Sequence, residues 1–286
     1  MSTVAPPEPR LFREEDLVAE EAASFACGGA FVYTRRCPDR TGPNEDAAAL
    51  IPHGSGDGLL VVADGVGGMR GGSQASGLTI SRLATAVHSA WETERDLRNA
   101  VLDGVEAANT AVTELGGAGS TLAVAEIQGR AVRPYHIGDA SILVVGQRGR
   151  IKLQTVSHSP TGYAVEAGLL DGVEALHHEE RHLISNMLGT PDMRIEVGSA
   201  IALADRDTVL LASDGLSDNL TTEEIIETIR KGPLEAAGRK LAALCGQRMD
   251  GEGGNTPSKP DDLTFILFRL QPGNRRQVGN RRAGAA

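Results

Sequence analysis

The main chemical feature of this sequence is a set of acidic residues that stand where apolar strands begin or end. They are Glu45, Asp46, Asp64, Asp139, Asp214, Asp261 and Asp262. If these strand ends converge on one cleft, the carboxylates cannot all stay ionised without cations. Ligand sets made only of oxygen suit Mg²⁺ or Mn²⁺ rather than Zn²⁺. Two such ions close together would generate a hydroxide at neutral pH and hold a phosphoryl group for in-line attack.

The stretch from Leu59 to Gly72 shows this pattern most clearly. An apolar run leads directly to Asp64, and a glycine-rich turn and an amphipathic run follow it. The glycines let the backbone turn sharply and approach whatever Asp64 holds. The turn could be an ordinary strand–turn–helix junction, a phosphate-binding loop or a metal-binding site. The dinucleotide-binding spacing fails because Arg70 stands where a glycine is required, and no Gly-Lys-Ser/Thr follows as in a P-loop.

The elements that must position these acids are predicted from hydrophobic periodicity and from glycine and proline punctuation. We predict strands over 30–36, 47–51, 59–63, 120–128, 131–137, 141–147, 151–155, 195–203, 207–212 and 263–270. We predict helices over 73–91, 93–115, 163–167, 173–188, 221–231 and 234–249. Short turns between successive strands from 120 to 155 indicate antiparallel hairpins. We expect residues 1–20 to be a flexible segment and residues 271–286 to be a disordered basic tail.

The composition argues against several classes of protein. Apolar residues make up 41% of the 286 residues but aromatic residues only 3%, so the core must be aliphatic. The formal net charge of −10 argues against a nucleic-acid-binding protein, which needs a basic face. The cysteines form no Cys-x-x-Cys pair, which favours reduced thiols in the cytoplasm. We find no signal peptide and no apolar run long enough to span a bilayer, so we expect no membrane association.

A series of short motifs, taken in order, resembles the metal-dependent type 2C serine/threonine phosphatases. The motifs are Arg40…Asn44-Glu45-Asp46-Ala47, Val62-Ala63-Asp64-Gly65-Val66-Gly67-Gly68, Gly119-Ser120-Thr121, Ile137-Gly138-Asp139, Ala212-Ser213-Asp214-Gly215-Leu216 and Asp261-Asp262-Leu263-Thr264. The resemblance covers about residues 28 to 270 and is to the bacterial, single-domain form. It implies an α/β (α+β) fold, a four-layered αββα sandwich of two mainly antiparallel sheets flanked by helices. The catalytic domain would span residues 21–270, with a flap at about 157–188.

The resemblance also implies a ligand for each of two Mn²⁺ or Mg²⁺ ions. Asp64 would bridge the two ions. Asp214 and Asp261 would complete the coordination of one ion, and Glu45 and the carbonyl of Gly65 would hold the other.

Three further residues receive roles from the same resemblance. Asp46 would lie behind the metal ligands as part of the metal site. Asp139 stands like the acid that, with Asp214, holds a third and weaker ion in bacterial members. Arg40 would be the catalytic arginine that binds the substrate phosphate, although it lies five residues before Glu45 where the family usually has four.

The activity implied is hydrolysis of phosphoserine and phosphothreonine in phosphorylated proteins, by attack of a hydroxide that bridges the two ions and without a phosphoenzyme. The chain would act as a monomer and oppose a serine/threonine kinase. One alternative is a pseudophosphatase, a phosphoprotein-binding regulatory module on the same fold. A remoter alternative is a zinc protease, because His178-Glu179-x-x-His182 lies on a predicted helix and matches a zinc-binding motif, although a third ligand is missing.

Overall fold

Two antiparallel β-sheets form the centre of the computed structural model, which describes residues 8–14, 16, 21–38, 40–54, 56–66, 69, 71–251 and 258–271. The strands are β1 (Arg10–Arg13), β2 (Glu21–Phe25), β3 (Gly28–Arg35), β4 (Asp46–His53), β5 (Asp57–Asp64), β6 (Leu122–Gln128), β7 (Ala131–Ile137), β8 (Ser141–Val145), β9 (Ile151–Gln154), β10 (Glu196–Val197), β11 (Ile201–Ala202), β12 (Thr208–Ala212) and β13 (Leu263–Leu270). The first sheet has the order β1-β4-β5-β6-β7-β10, and β11 also pairs with β7. The second sheet has the order β2-β3-β13-β12-β8-β9.

Helices cover the outer face of each sheet. They are α1 (Gly72–Glu92), α2 (Leu97–Glu114), α3 (Pro160–Glu166), α4 (Gly172–His177), α5 (Asp214–Ser217), α6 (Thr222–Ile229) and α7 (Leu234–Met249). The long helices α1 and α2 share one apolar cluster with the first sheet. Helices α6 and α7 share another with the second sheet. The predicted four-layered αββα sandwich is therefore confirmed.

Strand β5 shows why its sequence is continuously apolar. Leu60 and Val62 pack into the cluster between the two sheets. Leu59, Val61 and Ala63 pack into the cluster below α1 and α2. Because successive side chains of a strand point to opposite faces, a strand covered on both faces must be apolar at every position. Asp64, which follows this run, is the first residue that is not fully buried.

Several parts of the predicted secondary structure need correction. Arg10–Arg13 form β1 and pair with β4, so these residues of the 1–20 segment are not flexible. The strand predicted over 195–203 is divided into β10 and β11, because Pro134 of the neighbouring β7 has no N–H with which to continue the ladder. The short helix α5, which begins at Asp214, was not predicted.

The helix predicted over 173–188 is wrong beyond its first turns. Only Gly172–His177 are helical. Leu188 and Ser120 exchange backbone hydrogen bonds of 2.8 and 3.2 Å, and the backbone N–H of Ser185 donates to the carbonyl of His158 at 2.8 Å. These tertiary contacts require an extended chain and override the helical pattern.

The remaining predictions about the chain ends cannot be followed further. The predicted basic tail, apart from Gln271, lies outside the described residues, as do residues 1–7 and 17–20. Over the part of the chain that the structure describes, the helices are too short or too polar to cross a membrane.

Candidate metal centre

The ends of strands from both sheets meet at one cleft. Asp64 ends β5 in the first sheet, whereas Asp214 follows β12 and Asp261 precedes β13 in the second. The cleft has a volume of about 250 Å³. Its lining residues are Arg40, Asp64, Gly65, Val66, Thr121, Asp139, His182, Ile184, Asp214, Lys259, Asp261 and Asp262. The structure thus brings together predicted site residues that lie up to about 220 positions apart in the sequence.

Glycines allow the backbone to approach Glu45, which was predicted to hold one ion. A Cβ atom on Gly72, at the start of α1, would lie 2.5 Å from Oε1 of Glu45. A Cβ atom on Gly65 would lie 2.4 Å from the carbonyl carbon of Gly72. A Cβ on Gly65 would clash with backbone, so only glycine fits there, and a Cβ on Gly72 would displace the Glu45 carboxylate. The two glycines therefore let the beginning of α1 lie against this carboxylate.

The carboxylates of the cleft repel one another when they are ionised, which raises their pKa values. The pKa of Asp64 is raised well above its usual value, first by burial and then by the charges of Asp46 and Asp214. Burial, followed by the charges of Asp214 and Asp218, raises the pKa of Asp139 to about 7. The pKa of Asp214 is also raised, first by burial and then by Asp218. A cation placed among these groups would relieve this repulsion, and the all-oxygen donor set fits Mn²⁺ or Mg²⁺.

Asp46 stands behind the cleft, Asp262 lines it, and both hold other groups in place. The carboxylate of Asp46 is 2% exposed and accepts a hydrogen bond of 2.7 Å from Oγ of Ser213. The carboxylate of Asp262 accepts the backbone N–H groups of Cys37 and Glu45, both at 2.7 Å. Asp262 therefore fixes the backbone at Glu45, a role that the sequence did not reveal.

The guanidinium of Arg40 lies at the rim of the cleft. Its Nη1 donates to Oε2 of Glu45 at 2.9 Å, and its Nη2 lies 3.5 Å from Oδ1 of Asp261. Arg36, another arginine near this turn, donates instead to the carbonyl of Gly42 at 2.7 Å. The extra residue between Arg40 and Glu45 therefore does not carry the guanidinium away from the acids.

A lysine that sequence reasoning missed lies among the acids. Nζ of Lys259 is 2.6 Å from Oδ2 of Asp218, 2.9 Å from Oδ2 of Asp214 and 3.3 Å from Oδ2 of Asp261. Asp218 was missed as well, although its position four residues after Asp214 places the two acids one helical turn apart. Lys259 stands only two residues before Asp261, which was the available signal in the sequence.

The His-Glu-x-x-His motif does not form a zinc site of the protease type. Residues 178–182 lie outside the helices, and Nδ1 of His178 accepts the backbone N–H of Glu180 at 3.1 Å. His182 lines the cleft, but the motif needs both histidines on one helical face. The zinc-protease alternative is therefore wrong, because its helix is absent from this described segment.

A second cluster of possible ligands lies beside the cleft. Ligand atoms of His136, His158 and Glu196 come within 4.8 Å of one another. The backbone N–H of Gly138 donates to Nδ1 of His158 at 3.1 Å, so this nitrogen carries no proton. Nε2 then carries the proton and faces Oε2 of Glu196 at 3.3 Å. A protonated nitrogen cannot ligate a metal, so we interpret this cluster as a support for the Gly138 turn.

The comparisons with known proteins agree with this geometry. A family model described as Protein phosphatase 2C matches residues 35–247. Protein phosphatase PhpP of Streptococcus pneumoniae is 30% identical over 195 residues, which cover 65% of this chain and 78% of that protein. The serine/threonine phosphatase of S. agalactiae superposes with a TM-score of 0.70 at 27% identity, covering 84% of this chain and 98% of that one. The catalytic domain of the phosphatase PstP in complex with two manganese ions has a TM-score of 0.66 at 26% identity, covering 85% and 97%.

Proposed function

Because this chain belongs to the protein phosphatase 2C family, we propose that the carboxylates of its cleft hold two Mn²⁺ or Mg²⁺ ions with which it dephosphorylates proteins. It is a metal-dependent serine/threonine phosphatase, and its substrates are phosphoproteins. The count of two ions is supported by the manganese complex of PstP. When bound, the ions supply a hydroxide nucleophile at neutral pH and a clamp for the phosphoryl group.

The chain's own residues would divide the work as follows. Asp64 would bridge the two ions from the end of β5. Asp214 and Asp261 would complete the coordination of one ion from the second sheet, and Glu45 and the Gly65 carbonyl would hold the other. Their positions on strand ends and helix starts keep the ligands rigid, which a preorganised centre requires.

Arg40 would bind the phosphate before attack. Its side chain is 42% exposed, and the guanidinium lies beside Glu45 and Asp261. The guanidinium can therefore turn towards an incoming phosphate without crossing the core. A guanidinium can grip two phosphate oxygens at once, which would orient the phosphoryl group for in-line attack.

The protein chain that carries the phosphate would lie between the cleft and the flap, residues 157–188. A cavity of about 440 Å³ runs there and shares Asp139 and Asp214 with the metal centre. Its flap side includes Val165, Leu176 and Arg181, so it offers both apolar and basic contacts to residues next to the phosphoamino acid.

The proposal rests on one observation, the convergence of strand ends from both sheets on a single acidic cleft. The test measures hydrolysis of a phosphothreonine peptide by the wild type in the presence of Mn²⁺, Mg²⁺ or EDTA, and by the Asp64→Asn variant. We expect activity that requires the metal and is lost in Asp64→Asn. The control is Asp103→Asn, which removes an exposed carboxylate paired with Arg95 and should leave activity unchanged. A folded, Mn²⁺-loaded protein without activity would favour the pseudophosphatase alternative.

We also propose that the phosphatase acts as a monomer in the cytoplasm and opposes a serine/threonine kinase. Cys27, Cys37 and Cys245 are all free thiols, which suits a reducing compartment. Measuring the molecular mass by sedimentation at micromolar protein concentration tests whether the chain is a monomer. A dimer would contradict this proposal. The opposition to a kinase is tested in cells in which the Asp64→Asn variant replaces the wild type. Phosphorylation of the substrate proteins should then be restored.

A further inference from the structure

The ammonium of Lys259 contacts Asp214, one of the two acids to which the resemblance assigns a third metal ion. The two acids nearest to Nζ are Asp218 and Asp214, at 2.6 and 2.9 Å. Both acids line one cavity together with Asp139, the residue assigned to the third ion with Asp214. Asp139 also lines the cleft together with Asp214 and Lys259, so the ammonium contacts two of these acids and shares the cleft with the third.

The backbone of Lys259 is held close to the start of α5. The side-chain amide of Asn219 donates to the carbonyl of Lys259 at 2.8 Å, and its oxygen accepts the N–H of Lys259 at the same distance. Asn219 is fully buried and also donates to the carbonyl of Gly215 at 2.9 Å. The anchor thus ties Lys259 to the start of α5, the short helix that carries Asp214 and Asp218.

The contacts of Nζ match the bonding capacity of an ammonium group. Lysine has three N–H donors, and three carboxylate oxygens, from Asp214, Asp218 and Asp261, lie within 3.3 Å. Divalent Mg²⁺ would need oxygens at about 2.0–2.1 Å. The ammonium and a third ion therefore compete for the same carboxylate oxygens, and the two cations repel each other.

We propose that Lys259 is a tethered cation that takes the place of a third divalent ion beside Asp214 and Asp218, so that this chain binds two ions and not three. This inference rests on the proposed metal centre. Asp218, which has no role in holding the first two ions, makes the closest contact with the ammonium, at 2.6 Å. Asp214, which both positions would share, follows at 2.9 Å, and Asp261, which would hold one of the first two ions, is the most distant at 3.3 Å. The ammonium neutralises charge at this position at any metal concentration.

The test counts bound Mn²⁺ per folded chain, by equilibrium dialysis with electron paramagnetic resonance of free Mn²⁺, up to saturation. We expect two ions in the wild type and three in Lys259→Met, which keeps the length of the side chain but removes its charge. Lys259→Gln should behave like Lys259→Met, and Lys259→Arg, which retains a cation, should bind two. The matched control is Lys152→Met, because Lys152 pairs with Asp207 at the opposite end of β12.

A double variant locates the additional ion. Lys259→Met with Asp218→Asn should return to two ions, because the third ion would lose an oxygen ligand with a full charge. Three ions in the wild type, or two in both Lys259→Met and Lys259→Gln, would overturn the inference and leave the proposed function intact. A wild type that binds no Mn²⁺ would overturn the metal centre itself. Thermal unfolding in EDTA establishes that each variant is folded.

Discussion

Asp46 and Asp64 lie directly opposite each other in the antiparallel pair of β4 and β5. Residues paired in this way project from the same face of a sheet. One of them is sealed behind the cleft, where Ser213 holds it, while the other lines the cleft. After burial, the charge of Asp46 is the largest cause of the raised pKa of Asp64. The buried acid therefore increases the tendency of the predicted bridging ligand to bind a cation.

Ser213 should affect metal binding without touching a metal. Its Oγ donates to Asp46 at 2.7 Å and accepts the N–H of Thr264 at 3.0 Å. Residues that support metal ligands typically change affinity by 10- to 100-fold when replaced. We expect Ser213→Ala to weaken Mn²⁺ binding about 10-fold, as measured by isothermal titration calorimetry. Ser89→Ala, an exposed substitution in α1, is the control, and equal affinities in the two variants would contradict the prediction.

A side chain at Gly72 should displace the carboxylate of Glu45. The Cβ of alanine would lie 2.5 Å from Oε1 of Glu45, so the carboxylate must move. We expect Gly72→Ala to lower Mn²⁺ affinity by at least about 10-fold, on the scale of changes that misplace a ligand. The matched control is Gly246→Ala in α7, whose Cβ meets nothing within 4 Å. That control should keep full affinity and raise the free energy of unfolding by about 0.5–1 kcal/mol. Unchanged affinity in Gly72→Ala would show that Glu45 holds no ion.

Arg40→Ala should separate binding from chemistry. Loss of the guanidinium removes a charge-assisted contact to phosphate, which is worth about 1.5–3 kcal/mol. We expect KM for a phosphothreonine peptide to rise about 10-fold or more, with a smaller change in kcat, in steady-state assays at saturating Mn²⁺. Arg35→Ala, which removes an exposed arginine at the end of β3, is the control. A normal KM in Arg40→Ala would exclude a phosphate-binding role.

The metal-free protein should lose stability as the pH rises. An aspartate has an ordinary pKa of about 3.9, whereas in the folded protein the pKa of Asp139 is about 7. Between these values the folded state binds more protons than the unfolded state, so the free energy of unfolding falls as the pH increases. The contribution of Asp139 to the free energy of unfolding is fully present below about pH 4 and is lost as the pH rises through about 7.

Thermal or urea unfolding in EDTA, measured from pH 5 to pH 8, tests this dependence. Mn²⁺ should raise the melting temperature more at pH 8 than at pH 5, because fewer protons compete for the ligands. Asp139→Asn should flatten the metal-free profile. A stability that rises with pH in EDTA would contradict the prediction.

The family, the fold class and most of the strands could be predicted from the sequence. A short continuous apolar run such as residues 59–63 predicts a strand covered on both faces, and the turns between 128 and 150 predict hairpins. Motif order also indicated the acids that line the cleft. The family and the αββα architecture are both confirmed, while the metal-binding roles of the individual residues stay predictions.

The other groups that reach the cleft could not be predicted, because long-range packing places them there. The helix predicted through His178 and His182 gives way because Leu188 pairs with Ser120, a contact between distant parts of the chain that local periodicity cannot show. Buried Asn219 binds the backbone of Lys259 and holds it near Asp214 and Asp218. Local patterns determine secondary structure, but side-chain contacts across the chain depend on packing, and those contacts set the charge of this site.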